Sequence, residues 1–132
     1  MKAGDTFYYE DGAGGHRYVV ISDPKNTQDI RFPGYVFFVM FSSKTNYKED
    51  VCVLKEGDHP FIVRDTVVVY KIPPAIFEPM IAVQKLLNMG ILKDKKQPVS
   101  PDILKKLRDC YTKSQYRKDS IMQFLFRQGV ID

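Results

Sequence analysis

The segment Tyr35-Val36-Phe37-Phe38-Val39-Met40-Phe41 constrains this chain more than any other, because seven consecutive apolar residues leave neither face of a strand for water. Such a run reads as a central strand buried on both sides, entered from the Pro33-Gly34 turn. Val36, Phe38 and Met40, with Val20 from the preceding strand, are the expected core. Around this run the chain reads as short strands broken by turn chemistry. Thr6–Tyr9 precedes a Gly-rich turn at 10–15. Arg17–Ser22 is β-branched and aromatic and stops at Asp23-Pro24. Asp50–Leu54 leads into the turn Lys55-Glu56-Gly57-Asp58, and Thr66–Tyr70 closes the series.

At Pro73-Pro74 the period changes from two to helical. Pro79 suits a first helical turn, and Met80, Val83, Leu86 and Leu87 recur at helical spacing until Gly90. Lys93–Pro98 reads as a polar linker. Ser100-Pro101-Asp102 is a helix start with Ser as cap, followed by the stripe Ile103, Leu104, Leu107, Cys110 and Tyr111. A last helix, about 118–128, carries Ile121, Phe124 and Leu125. The expected fold class is therefore α+β: a small, strongly bent antiparallel β-barrel of five to six strands over residues 1–75, followed by about three helices over 76–132 packed on it.

Composition bounds the function classes. The 132 residues are 44% hydrophobic and 27% charged, enough for one core without a metal or disulfide staple. No apolar run approaches the roughly 18 to 20 residues of a membrane helix, and the N-terminal residues lack a signal-peptide core, so a cytoplasmic protein with no membrane partner is expected. Cys52 and Cys110 form no CxxC pair and read as two reduced thiols. The net charge of +4 divides unequally: residues 1–75 carry nine Lys or Arg against ten Asp or Glu, whereas 76–132 carry eleven against six. This C-terminal surplus permits phosphate contacts, but a solvated Lys-rich helix face is the more frequent cause of such a bias.

No Walker A loop, GxGxxG, HExxH or GxSxG occurs. With His16 and His59 as the only histidines, 43 residues apart, no metal site and no cofactor is expected, and His59 beside Pro60 reads as a hydrogen-bonded structural residue. The chemically suggestive segments are Gly14-Gly15-His16-Arg17-Tyr18-Val19-Val20-Ile21-Ser22 and Val39-Met40-Phe41-Ser42-Ser43-Lys44-Thr45. The first delivers an Arg at the start of a strand. The second ends a long strand in a hydroxyl pair, and antiparallel pairing would bring the two together at one rim.

These segments resemble the MazF/PemK toxin family, in which a Gly-x-Arg-Pro-Val-Val-Val-Ile-Ser-like stretch is followed by a strand ending in a Thr/Ser pair. The segment His59–Tyr70 falls where that family has its last barrel strand, and Gly57-Asp58-His59-Pro60-Phe61-Ile62 with a following Val-x-Tyr also resembles a group of small uncharacterised proteins with this barrel. The resemblance covers residues 4–75. It implies an SH3-like barrel and a metal-independent endoribonuclease acting on single-stranded RNA, with an antitoxin-like protein partner. Tyr18 replaces the usual Pro, and the 57 residues from 76 to 132 have no counterpart in that family.

The residue types suit the chemistry. Cleavage through a 2′-hydroxyl needs proton transfer and a stabilised pentacovalent phosphate. The planar Arg17 fork suits the phosphate, Ser42 or Ser43 would position the scissile group, and His16 is the nearby group for proton transfer. The competing reading makes Arg17 a surface strand residue paired with Asp11 or Glu10, and Ser42-Ser43 a turn, in a non-catalytic module that binds a protein partner. DNA binding by helices 100–113 and 118–128 ranks last, because the second is too apolar for a groove reader.

Overall fold

In the computed structural model, which describes residues 1–10, 15–26, 29, 31–43 and 49–132, the Tyr35–Phe41 run lies inside β3 (Tyr35–Ser42) and alternates between two apolar layers. Parts of the expected site at Asp11, Gly14, Lys44 and Thr45 lie outside the described residues. On one face Val36, Phe38 and Met40 pack with Phe7, Val20 and Leu92 beneath Val83 of helix α1 (Met80–Asn88). On the other, Phe37, Val39 and Phe41 pack with Leu107 and Tyr111 of α2 (Pro101–Tyr111) and with Ile121, Phe124 and Leu125 of α3 (Asp119–Arg127). The two-sided apolarity of β3 is thus matched by a helical layer on each side. The expected core residues Val20, Val36, Phe38 and Met40 are all buried.

The other strands are β1 (Thr6–Glu10), β2 (Gly15–Val20), β4 (Val53–Leu54), β5 (Thr66–Val69), β6 (Ile76–Pro79) and β7 (Leu92–Lys96). All pairings are antiparallel, in the order β4-β5-β3-β2-β1-β7, with β6 also on β3. The expected closed barrel is not what forms: among the described residues the sheet is open, ending at β4 and β7. Beyond residue 75 the helices come with two strands that the sequence reading did not anticipate. β6 resumes the edge of β3 that β5 occupies, pairing Phe38 with Ile76 and Tyr35 with Pro79. β7 arises where a polar linker was expected, because its residues, Leu92 apart, face solvent along a sheet edge and need little apolar character. Charged edge strands of this kind, here with Lys93, Lys95 and Lys96, resist edge-to-edge association.

The helix boundaries follow local chemistry. Ser100 Oγ accepts from the Ile103 N–H at 3.2 Å and Pro101 occupies the first helical position. Gly90, at φ 70°, follows α1 in the left-handed conformation that only glycine adopts without strain. The helical layer is locked to the sheet by directed bonds. Tyr70 Oη donates to the Leu107 carbonyl at 2.7 Å, with burial pushing the phenol well above its ordinary pKa, and Arg108 Nε donates to the Ile21 carbonyl at 2.7 Å. Ser114, fully buried after α2, donates to Glu49 Oε1 at 2.6 Å.

The cysteines are not two free thiols. Cys52, just before β4, and Cys110 on α2 are joined in a disulfide, with Cα atoms 5.6 Å apart. Sequence spacing concealed this because the two lie 58 residues apart and meet only when α2 crosses the β4 end of the sheet. No helix among the described residues is long and apolar enough to cross a membrane.

Two measurements check this packing. Phe38→Ala should cost roughly 3 to 5 kcal/mol in chemical denaturation, since its ring is wholly enclosed between the strands and α1. Reduction of Cys52–Cys110 should lower stability by about 2 to 4 kcal/mol through the freed loop, read as a lower denaturation midpoint with reductant than without.

Candidate functional site

The β1–β2 register sets the site. Tyr8 stands opposite Arg17, Tyr9 opposite His16 and Glu10 opposite Gly15. Cross-strand partners share a face, so the Arg17 side chain meets the Tyr8 ring, and its guanidinium carbon lies 5.3 Å from that ring's centroid. Phe61 flanks it as well, at 5.7 Å. The cation is thus held by two aromatic faces, each worth roughly 0.5 to 1 kcal/mol at a partly exposed site.

A third contact comes from β7. Between Thr6↔Lys96 and Tyr8↔Lys93 the register of β7 slips by a residue, and Asp94 takes φ 52° there. This bulge turns the Asp94 carbonyl toward the cleft, where it accepts from Arg17 Nη1 at 3.0 Å. Neither acid proposed as a partner for Arg17 is seen to hold it: Glu10 pairs with Lys93 at 3.3 Å, and Asp11 lies outside the described residues.

Phe61 is fixed from behind by His59. The buried His59 ring lies 4.1 Å from the Phe61 ring, its Nε2 bonds the Gln97 carbonyl at 2.8 Å, and its Nδ1 accepts from the Phe61 N–H at 3.4 Å. Because a carbonyl only accepts, Nε2 carries the proton and Nδ1 is the acceptor. His59 therefore has the hydrogen-bonded structural role expected of it.

Arg17, His16 and Ser43 line one cleft of about 230 Å³ with Tyr8, Phe41, Phe61 and Thr66. Ser42 is not brought to it. It is buried at the end of β3 opposite Val67, one residue out of phase with the exposed Ser43. Of the hydroxyl pair, then, alternation along the strand leaves Ser43 to the cleft. His16 is half-buried at the rim, where the absent side chain of Gly15 makes room: a Cβ there would run into the Tyr8 ring. The arrangement offers a planar cation with donors left over, a titratable imidazole and a hydroxyl around a space open to solvent, which suits a phosphate group.

The residues missed by sequence reasoning are those that hold Arg17 in place. Tyr8 was legible only as a strand aromatic and Phe61 only as part of the His59–Ile62 segment. The Asp94 carbonyl left no signal, because a backbone group has no residue type. Compared with known proteins, the chain matches no family model, no curated protein and no solved structure.

The two-ring setting of Arg17 has a direct spectroscopic consequence. Tyr8→Leu and Phe61→Leu should each remove one ring current and move the Arg17 Hε resonance, with thermal stability changing by no more than about 1 to 2 kcal/mol at these partly exposed positions. An Arg17 Hε signal indifferent to both substitutions would show that the rings do not flank it.

Proposed function

We propose that this chain acts on single-stranded RNA at the Arg17 cleft, as a metal-independent endoribonuclease of the MazF/PemK-like kind built on a bent, SH3-like sheet. The observation that supports this reading above the others is the placement of Arg17 and Ser43 on one cleft beside two aromatic faces, with His16 at its rim. Aromatic side chains stack bases without regard to sequence, and a guanidinium between them neutralises phosphate, a combination common in single-strand binding.

In this proposal Arg17 binds the non-bridging oxygens of the scissile phosphate and stabilises the added charge of the pentacovalent state. His16 takes the proton from the 2′-hydroxyl. The 2′-oxygen bonds to phosphorus, the bond from phosphorus to the 5′-oxygen breaks, and the departing oxygen takes a proton from solvent, to which His16 releases the one it accepted, leaving a 2′,3′-cyclic phosphate and a 5′-hydroxyl. Ser43 holds a phosphate oxygen through its hydroxyl. Ser42, which the family resemblance offered as an alternative, is the weaker candidate because of its burial. The Asp94 carbonyl orients the guanidinium, engaging one of its donors and leaving the others for the substrate.

The deciding assay is single-stranded RNA incubated with purified protein in EDTA, comparing wild type with Arg17→Ala. Wild type should yield cyclic-phosphate ends and Arg17→Ala should be slower by about two to three orders of magnitude, with the fold retained because the side chain is at a rim. Binding without cutting would make the chain an RNA-binding relative. If wild type neither cuts nor binds RNA and its expression is harmless, the protein-binding alternative takes its place, and the exposed Ile81 of α1 and Met89 just after it become the side chains to examine.

A further inference from the structure

Residues 76–132 carry eleven Lys or Arg against six Asp or Glu, and the proposed reaction uses none of those side chains. Three of the lysines, Lys93, Lys95 and Lys96, lie on β7, and β7 is the strand that Arg17 reaches. The Arg17 guanidinium lies 5.3 Å from the centre of the Tyr8 ring, and its Nη1 donates to the Asp94 carbonyl at 3.0 Å. The cation thus extends from its own strand, across β1, to β7.

The register decides which of the three lysines share its face. Arg17 stands opposite Tyr8 on β1, and Tyr8 stands opposite Lys93 on β7, so the three form one row across the sheet. Paired strands lie about 4.8 Å apart, which puts the Lys93 backbone roughly 10 Å from that of Arg17, within the combined reach of two long side chains. Thr6, two residues before Tyr8 and therefore on the same face, stands opposite Lys96. Regular alternation would turn two lysines spaced three apart to opposite faces. The bulge prevents this: Asp94 and Lys95 together oppose the single residue Phe7, so Lys93 and Lys96 both stand on the Arg17 face. Lys95 is drawn instead to the buried Asp5, 3.3 Å away.

The geometry points to the cleft face of β7 as a phosphate track, on which Lys93 and Lys96 hold the phosphates of single-stranded RNA that flank the one at Arg17. The inference rests on the RNA reading of the Arg17 cleft and adds to it a path for the strand. Successive phosphates need cations in a line, and three cations side by side on one face of a rigid sheet form such a line. Lys93 makes an ion pair with Glu10 at 3.3 Å, but the two side chains are 39% and 45% exposed, and a pair in that setting gives way to a phosphate at little cost. Glu10 stands opposite Gly15, at the other end of β1 from Thr6, so the path leads from Arg17 past Lys93 to Lys96 and away from the carboxylate. Among the described residues no further strand pairs with the outer edge of β7, which leaves the approach open. An acidic protein would meet the same charges, but a row of cations beside two aromatic faces favours an extended polyanion that carries bases.

The test uses the full chain and a 2′-fluoro octauridine, which lacks the 2′-hydroxyl and is not cut, with fluorescence anisotropy read at several salt concentrations. Lys93→Gln/Lys96→Gln should weaken binding by roughly tenfold at low salt and reduce the slope of log affinity against log salt by about 1.4, twice the roughly 0.7 expected per single-strand phosphate contact. Each substitution alone should give about half of that change in slope. Lys93→Arg/Lys96→Arg should bind as wild type does. Lys25→Gln/Lys113→Gln removes the same charge from exposed positions off β7 and should leave the slope in place.

Equal slopes for wild type and Lys93→Gln/Lys96→Gln would refute the track, and so would an equal loss in Lys25→Gln/Lys113→Gln, which would make the effect one of net charge. In either case, weaker binding by Arg17→Ala would leave the RNA reading standing. Unchanged RNA binding by Lys93→Gln/Lys96→Gln together with new self-association in sedimentation would show that the two lysines only guard the sheet edge. If wild type does not bind the octamer, both readings fall. Binding of a labelled Asp- and Glu-rich peptide that is then lost with Lys93→Gln/Lys96→Gln would assign the face to a protein partner instead.

Discussion

The enclosure of β3 between two helical layers is the constraint on which the rest of the molecule depends. Phe37, Val39 and Phe41 are covered by α2 and α3, and Val36, Phe38 and Met40 by α1, so both layers are anchored by alternate residues of one strand. The same strand organises the sheet: β2 pairs along one edge, while β5 and β6 share the other. A strand apolar on both faces exposes too much hydrocarbon to survive at a surface, at about 25 cal/mol per Å² of apolar area. The helices that follow residue 79 are therefore part of the core rather than an appendage.

This construction explains how the candidate site comes to sit at a rim. β2 pairs with β3 at Tyr18, Val19 and Val20, and its first residues run beyond that pairing, held by β1 alone. His16 and Arg17 are therefore carried on a rigid strand and yet open to solvent. Rigidity matters to a phosphate site because a donor that is already oriented loses little on binding. Here the orientation comes from two rings and one carbonyl, supplied by β1, the segment after β4 and β7. Two of these three lie far from Arg17 in sequence. The buried His59 extends the support by fixing Phe61 between the Arg17 cleft and the Gln97 backbone.

The strands that were legible have strong alternation or strong apolarity, as at Thr6–Tyr9, Arg17–Val20 and Tyr35–Phe41, and the helices have clear stripes and a clear start at Ser100-Pro101. β6 and β7 were not legible, for opposite reasons. β6 sits at a junction where Pro73 and Pro74 signal a break and Pro79 signals a helix, while β7 is a charged edge whose strand state is imposed by pairing with β1. The closed barrel inferred from the number and spacing of the strands and from the family resemblance did not form, because closure depends on which edges remain free, and a sequence does not number its edges.

Local chemistry by itself determined that this chain has a buried β3, an antiparallel arrangement before Pro73, three helices after it, and an Arg-His pair opening a strand beside a glycine turn. Period, capping and turn residues act over a few positions and leave their mark in the order of the residues. Tertiary structure alone decided that Ser43 rather than Ser42 reaches Arg17, that Tyr8, Phe61 and the Asp94 carbonyl hold the guanidinium, and that Cys52 meets Cys110. Each of these depends on strand register or on where a helix crosses the sheet, and register is set by the sum of many distant contacts, which no short stretch of sequence contains.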